Sequence, residues 1–159
     1  MVPGWRWRSV ARELMATSVT SPSLRGADVL IYSKCMVDEY PDLWREYARG
    51  REPLSVCLQE MHMDRVGFKV ATIMLKARPR SITVLTMNGS PHCLQLHFAV
   101  EQARQLTGFE GEVRHVVVEK GEAFEVSPEA IKAARHLATV ESLIRELSNA
   151  SQQRDITKS

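Results

Sequence analysis

The sequence lacks any apolar run of the roughly 18 to 20 residues needed to cross a bilayer, and its start lacks the continuous apolar centre of a secretory signal. It also lacks an excess of charge, because 21 basic residues stand against 19 acidic ones and leave a net charge of +2. We therefore expect no transmembrane segment and a cytoplasmic location. This excess is too weak to imply nucleic acid or acidic lipid as a partner, and we expect no nucleic-acid binding.

Cysteine is scarce, and no CxxC pair is present; the three cysteines are Cys35, Cys57 and Cys93. An odd number at such wide spacing argues against a framework of structural disulfides and favours reduced thiols or metal ligands. Free cysteine is also often a small buried hydrophobic residue, so core packing is the alternative for each of the three. The glycine patterns of Walker and dinucleotide-binding loops are missing as well.

The chain does contain a regular alternation of strand-like and helix-like segments. Four short apolar runs suit strands that are buried on both faces: 29–32, 54–58, 82–87 and 113–118. Helical spacing and capping residues predict helices at 41–49, after Asp64, from Pro91 to 107, and from Pro128 to about 147. Such alternation implies parallel pairing with right-handed crossovers. We predict an α/β fold, a three-layer Rossmann-like or flavodoxin-like sandwich with a mainly parallel sheet of about four strands.

The two ends of the chain differ from this regular part. Residues 1–26 join a Trp-Arg repeat at 5–8 to a stretch rich in Ser, Thr and Pro, which predicts an N-terminal arm or helix with a linker. The arm could contact a membrane surface or a partner, or fold back onto its own domain. We predict a single α/β domain over 27–148 and a polar C-terminal tail over 149–159.

The predicted sheet assigns a common location to the cysteines. Ligands bind outside the carboxyl ends of parallel strands, and each cysteine follows or ends one of the first three predicted strands. Cys93 and His97 lie four residues apart on one helix face, a spacing that can hold one metal ion. Thiolate and imidazole ligands favour an iron-sulphur cluster or zinc. The predicted metal ligands are Cys35, Cys57, Cys93, His62, His92 and His97.

The same loop allows a different interpretation. Gly89 and Ser90 precede a predicted helix N-terminus, where backbone amides bind a phosphate or carboxylate of a cofactor. Cys93 would then be an activated nucleophile with His92 or His97 as its base, in a thiol-dependent enzyme or transferase. A non-catalytic module that binds a partner through the Trp-Arg arm is a third possibility.

The order of these motifs resembles a known family. Three predicted strands follow one another: the first is followed by Cys35, the second comes with Cys57 and the segment 61–65, and the third is followed by the loop 89–97. This order is similar to that of the iron-sulphur delta subunit of methyl-viologen-reducing hydrogenases, over about 28–106. The resemblance implies an α/β protein that carries a two-iron cluster on cysteines at strand ends. It also implies electron transfer between hydrogenase and heterodisulfide reductase modules.

This chain has fewer cysteines than that family. A cluster held by four cysteines of one chain is impossible here, so a histidine, an outside ligand or the second chain of a homodimer would have to complete the site. Our leading hypothesis is a metal-binding or iron-sulphur electron-transfer protein that works with a redox partner protein or as a homodimer.

Overall fold

The computed structural model describes residues 12–156, with side chains up to residue 154. The chain divides into two compact units between Val126 and Ser127. The described part of the first unit contains six strands: β1 (Arg12–Glu13), β2 (Asp28–Ser33), β3 (Glu52–Val56), β4 (Ser81–Met87), β5 (Glu112–Glu119) and β6 (Glu122–Val126). Its helices are α1 (Met36–Glu39), α2 (Pro41–Ala48), α3 (Met63–Lys76) and α4 (Pro91–Thr107), with a 3-10 turn at Pro22–Leu24.

The strands form one sheet in the order β1-β3-β2-β4-β5-β6. All neighbouring pairs are parallel except β5 and β6. From β2 the chain first adds β3 on one side and then crosses to add β4 on the other, which is the flavodoxin-like arrangement. The direction of winding therefore switches between β2 and β4. The predicted α/β class is confirmed, with six strands among the described residues where about four were expected.

Each face of the sheet is covered by its own helices. On one face, Val29, Ile31 and Val84 pack with Val70 of α3 and Val100 of α4 in a fully buried aliphatic core. Parallel strands covered on both faces need such apolar residues, and each fully buried Val or Ile contributes about 1.5 to 3 kcal/mol. The sheet with helices on both faces is the predicted three-layer arrangement.

The other face of the sheet is more aromatic. Trp44 of α2 packs edge-on against Tyr32 of β2, with ring centroids 5.5 Å apart and an interplanar angle of 61°. Leu30, Leu85 and Val116 complete this second core. Edge-on aromatic pairs add about 0.5 to 1.5 kcal/mol beyond the area that they bury. This packing holds α2 against the sheet near the carboxyl end of β2.

Helix α4 begins and ends as its sequence predicts. The Ser90 hydroxyl accepts a hydrogen bond from the backbone N–H of Cys93 at 3.3 Å, and Pro91 occupies the first helical turn. Gly108 ends the helix in the left-handed conformation, with φ of 66°. Ser90 and Pro91 set the start of α4 and therefore place Cys93 in its first turn.

The N-terminal prediction needs correction for the residues that the structure describes. Arg12 and Glu13 form a parallel strand on the edge of β3, opposite Leu54 and Ser55, where a helix or linker was predicted. Leu14 is fully buried in the core with α3. Edge pairing and burial of a leucine outweigh helical spacing in so short a segment. The Trp-Arg repeat at 5–8 lies outside the described residues.

Strand β6 was also missed by the sequence analysis. Lys120 and Gly121 form a two-residue turn with φ of 50° and 81°, and the chain returns antiparallel to β5 with Glu119 opposite Glu122. Two successive positive φ angles are typical of the turn whose twist suits a hairpin. The strand is exposed over most of its length, so it carries no buried apolar run that would have revealed it.

The second unit consists of α5 (Pro128–Ala134) and α6 (Leu137–Ile156). One continuous helix to about 147 and a tail over 149–159 were predicted. Instead the helix is interrupted after α5, and α6 continues through most of the predicted tail. Ser127 caps α5 by accepting from the backbone N–H of Ala130 at 3.2 Å. No helix within 12–156 combines the length and apolar character needed to span a membrane.

Candidate functional site at the carboxyl edge of the sheet

Cys35 lies at the point where the winding of the sheet switches. It follows β2 by two residues, and its Sγ is 3.3 Å from the Sδ of Met87, the last residue of β4. The same Sγ is 3.7 Å from the Oγ of Ser33. A thiol has one proton, so Cys35 donates to either Ser33 or Met87 at a given moment. Cys35 is therefore positioned over the crevice in which open α/β sheets bind ligands.

The other two cysteines lie at the same edge. Cys57 directly follows β3 and is half-buried, whereas Cys93 is in the first turn of α4 and is buried. Burial raises the pKa of Cys35; negative charge on Cys93 and Cys57 raises it further, while the hydrogen bond with Ser33 opposes the rise. Cys35, Cys57, Met87 and Cys93 are called the sulphur cluster below. Met87 was not predicted as a site residue, because a methionine at a strand end carries no distinguishing pattern.

The predicted histidines do not gather around these sulphurs. His62 is exposed and caps α3, with its Nδ1 accepting from the backbone N–H of Asp64 at 3.3 Å, so the predicted capping by Asp64 is replaced by capping from His62. His92 is half-buried in the first turn of α4. His97 is only 1% exposed and points into the core. Among the side chains described, no three or more from His, Cys, Asp and Glu are arranged to hold a metal ion.

His97 instead belongs to a line of buried polar side chains. Its Nε2 is 2.7 Å from the hydroxyl of Thr86 in β4, and its Nδ1 is 2.8 Å from the Nδ1 of His115 in β5. His115 Nε2 is 2.7 Å from Oε1 of Glu101, and Arg104 donates to Oε2 of Glu101 at 2.7 Å. We call Thr86, His97, His115, Glu101 and Arg104 the buried polar chain. Both ring nitrogens of His97 are occupied, which leaves neither of them free to bind the metal ion that the sequence predicted.

Proton counting sets the direction of these hydrogen bonds. A carboxylate only accepts, so His115 must donate to Glu101 from Nε2. A neutral imidazole has one N–H, so the Nδ1 of His115 accepts from His97. The Nε2 of His97 then accepts from the hydroxyl of Thr86. Every donor along the buried polar chain therefore points towards Glu101.

The environment of each group favours this protonation state. Burial, together with the neighbouring His115, lowers the pKa of His97 to about 3. Burial also lowers the pKa of His115, although the hydrogen bond and charge of Glu101 act in the opposite direction. Burial raises the pKa of Glu101, but hydrogen bonds from Arg104 and His115 outweigh it and leave the pKa below its usual value. Neutral imidazoles and an ionised carboxylate follow.

The predicted cofactor-binding residues, Gly89 and Ser90, lie in the loop between β4 and α4 at the same edge of the sheet. Gly89 has φ of 85°, a conformation that glycine adopts without strain. Ser90 uses its hydroxyl to cap α4. Asn88 donates from its side chain to Glu119 at 3.2 Å, which ties the loop to the end of β5. The loop thus joins the end of β4 to Cys93 in a defined conformation.

Comparison with protein families identifies the domain. A family model described as Rossmann-like domain matches residues 21–155. The chain belongs to this Rossmann-like domain family. The matched segment of the Rossmann-like domain includes the sulphur cluster and the buried polar chain. No curated protein and no solved structure matches the chain.

Proposed function

We propose that this Rossmann-like protein is an electron-transfer protein whose redox centre is a soft metal ion or an iron-sulphur cluster bound at the sulphur cluster. The observation that carries the proposal is that three free thiols and one thioether lie at the same edge of the sheet, with Cys35 and Met87 in contact at its switch point. Thiolate and thioether sulphur are ligands that soft metals and iron-sulphur clusters prefer. When bound, such a group supplies reversible electron transfer at the carboxyl edge.

The donor chemistry fits this group, whereas the arrangement is not that of a closed site. No three or more ligating side chains of the types His, Cys, Asp and Glu within 12–154 are set around one point. The thiols of Cys35, Cys57 and Cys93 would have to move together on binding, as in proteins whose metal sites form only with the metal present. Cys35 lies beyond the end of its strand and is the exposed one of the three thiols.

Electrostatics supports a cation at this place. Negative charge on Cys57 and Cys93 raises the pKa of Cys35, so the three thiolates repel one another. A bound cation replaces this repulsion with attraction and favours the thiolate form of each cysteine. Metal affinity should therefore increase with pH, because binding must displace the thiol protons.

The similarity to the hydrogenase delta subunit points in the same direction. That family carries its cluster on cysteines at strand ends, and Cys35, Cys57 and Cys93 lie at the corresponding edge here. The missing cysteines require an additional ligand, for which the Met87 thioether, the second chain of a homodimer or a redox partner protein are the candidates. We propose that electrons pass to or from such a partner.

Metal and sulphide content tests the proposal directly. The full chain would be purified without oxygen and without a metal-binding tag, then analysed for iron, zinc and acid-labile sulphide, before and after incubation with ferrous iron and sulphide. We expect bound metal with visible absorption, lowered by Cys35→Ser, Cys57→Ser or Cys93→Ser and unchanged by His136→Gln, a histidine of the second unit. Absence of metal after reconstitution, or equal metal in all variants, would refute the proposal.

A second candidate is a thiol-dependent enzyme that uses Cys35. The sequence pointed to Cys93 as the nucleophile, but Cys93 is buried and Cys35 is the exposed one of the three thiols. Peptide-resolved alkylation of the metal-free protein near neutral pH tests this candidate. A thiol enzyme predicts that Cys35 reacts much faster than Cys57 and Cys93, whereas uniformly slow labelling argues against it, since the raised pKa of Cys35 disfavours the thiolate.

A further inference from the structure

Strand β6 forms one outer edge of the sheet, and β5 is its only neighbour among the described strands. The residues from Glu122 to Glu125 are exposed, and Phe124 in the middle of the strand keeps 47% of its surface open to solvent. An edge strand presents unpaired backbone N–H and C=O groups. β6 contains no proline, lysine or bulge, three features that commonly protect such an edge. It is therefore able to pair with a further strand.

The hairpin turn determines which backbone groups of β6 face outwards. Glu119 and Glu122 flank the two-residue turn, and a pair in that position exchanges both of its backbone hydrogen bonds. Bonding alternates along an antiparallel pair, so Phe124 also bonds to β5. Ala123 and Glu125 therefore direct their N–H and C=O groups away from β5. None of the backbone hydrogen bonds described outside the strands and helices uses these groups.

We propose that β6 is the docking surface for a second copy of this chain, with the two β6 strands antiparallel across a two-fold axis at Phe124. In that register Ala123 of one copy lies opposite Glu125 of the other. The outward N–H and C=O groups of both residues then bond across the axis in both directions. Phe124 faces its own counterpart in a non-hydrogen-bonded pair, where side chains lie closest. Each copy uses the same surface, as a closed dimer requires.

The charges on β6 favour this register over its neighbours. An axis at Glu122 or at Glu125 would set two glutamates directly opposite each other, which is destabilising. The proposed register places Glu125 opposite Ala123, and Glu122 opposite Val126. Glu125 is also paired within its own copy, because Arg114 donates to its two carboxylate oxygens at 3.1 and 2.7 Å. The glutamates therefore oppose the shifted registers and leave the proposed one free of opposed like charges.

The side chain of Phe124 gains a partner in this dimer. Val117 is its neighbour on β5, and no described strand lies on its other side. The Phe124 ring of the second copy fills that side, and directly opposed aromatic residues stabilise antiparallel strands. One residue both supplies and receives this contact, which is what a two-fold axis at Phe124 provides.

This dimer keeps the two sulphur clusters apart. Because β6 is antiparallel to β5 and pairs antiparallel with its copy, the second sheet is inverted relative to the first. The carboxyl edges of the two sheets therefore open on opposite sides of the joined sheet. The second copy supplies no ligand to Cys35 in this arrangement, so the inference goes beyond the proposed function and does not depend on it.

Sedimentation of the full chain from about 10 µM to about 1 mM measures the dimer. The paired surface is small, so we expect a weak dimer that dissociates on dilution within this range. Ala123→Pro removes the outward N–H of each copy and keeps the bonds to β5, since proline is tolerated on an edge strand. Its dissociation constant should rise on the order of 30-fold, the ratio that two net hydrogen bonds supply. Ala123→Ser keeps the N–H and should dimerise as the wild type does.

Two further substitutions separate β6 from the other exposed apolar surface. Phe124→Lys changes an exposed side chain and places two positive charges opposite each other at the axis, so it should remain monomeric throughout the range. Phe124→Tyr keeps the ring and should dimerise. Leu147→Lys removes an exposed leucine of α6 and should leave dimerisation unchanged. If Ala123→Pro does not fold, the two Phe124 variants decide between the outcomes.

Amide hydrogen exchange locates the interface. The N–H groups of Ala123 and Glu125 should exchange more slowly as the concentration rises, whereas the N–H of Phe124, bonded to β5, should be protected at every concentration. A monomeric wild type, a dimer that persists in Ala123→Pro and Phe124→Lys, or loss of the dimer in Leu147→Lys would overturn the proposal. These measurements need no bound metal, so absence of metal would refute the proposed function and leave the dimer result standing.

Discussion

The first turn of α4 and its middle differ in how fully their polar atoms are satisfied. At the N-terminal end, Cys93 lies near two other thiols that are not joined by disulfides, and Cys35 remains exposed. About one and two turns further along, His97 and Glu101 are buried with partners on both ring nitrogens of His97 and both carboxylate oxygens of Glu101. An exposed thiol that is free of a disulfide is available for chemistry, whereas the fully hydrogen-bonded polar network holds the middle of the helix in one conformation. Helix α4 therefore carries one residue of the sulphur cluster in its first turn and three residues of the buried polar chain further along.

The largest expected effect comes from breaking the buried polar chain. His115→Leu leaves Oε1 of Glu101 and Nδ1 of His97 without partners inside the core, while Arg104 still donates to Oε2 of Glu101. We expect a loss of about 3 kcal/mol in the free energy of unfolding, measured by urea denaturation, because each buried polar group that loses its partner costs about 1 to 3 kcal/mol. Cys35→Ser at the exposed edge should stay within about 0.5 kcal/mol. Similar losses for both variants would remove the contrast between the two regions.

Acid should weaken the middle of α4 while leaving its exposed end alone. The pKa of His97 falls from 6.5 to about 3 on folding, so between these values the unfolded chain binds more protons than the folded one. Stability is then fully present above pH 6.5 and is lost as the pH falls from 6.5 towards 3, by up to about 1.4 kcal/mol per pH unit for this histidine. Urea denaturation at pH 7, 6 and 5 measures the slope.

A matched pair of variants assigns that slope to the buried histidine. His97→Gln should flatten the pH dependence, while His62→Gln, at an exposed cap, should keep the wild-type slope. A wild-type slope in His97→Gln would show that other groups produce the acid sensitivity.

Met87→Leu at the sulphur cluster should have a small effect on stability and a partial effect on metal content. Leucine has nearly the volume of methionine, so the half-buried packing of residue 87 should be kept at a cost below about 1.5 kcal/mol. The thioether is lost, so bound metal should fall, though less than in Cys35→Ser. Metal content measured on both variants checks this ranking, and unchanged metal in Met87→Leu would remove Met87 from the site.

Much of the fold could be predicted because its signals are local. The four buried strands appear as short apolar runs, and Ser90, Pro91 and Gly108 mark the ends of α4 through their own backbone preferences. The rule that parallel strands end at one edge was enough to bring the three cysteines together there. Strands β1 and β6 could not be predicted in this way, since one has only two residues and the other is an exposed hairpin partner.

The histidines show where sequence reasoning stops. The four-residue spacing of Cys93 and His97 correctly places both on one face of α4, but spacing does not reveal what that face meets. It meets Thr86 and His115, so the side chain predicted to bind metal is used within the core. The signal that could have revealed this is Glu101, a carboxylate four residues after His97 and on the same face of α4.

Local sequence determined the alternation of strands and helices, the caps of α4 and the placement of cysteines at strand ends, because each depends on residues a few positions apart. Tertiary structure alone decided that Met87 meets Cys35 and that Glu101 fixes the protons of two histidines. These contacts join residues from different strands and helices, and their existence depends on strand order and register. Register is set by packing of the whole sheet, which no single segment contains.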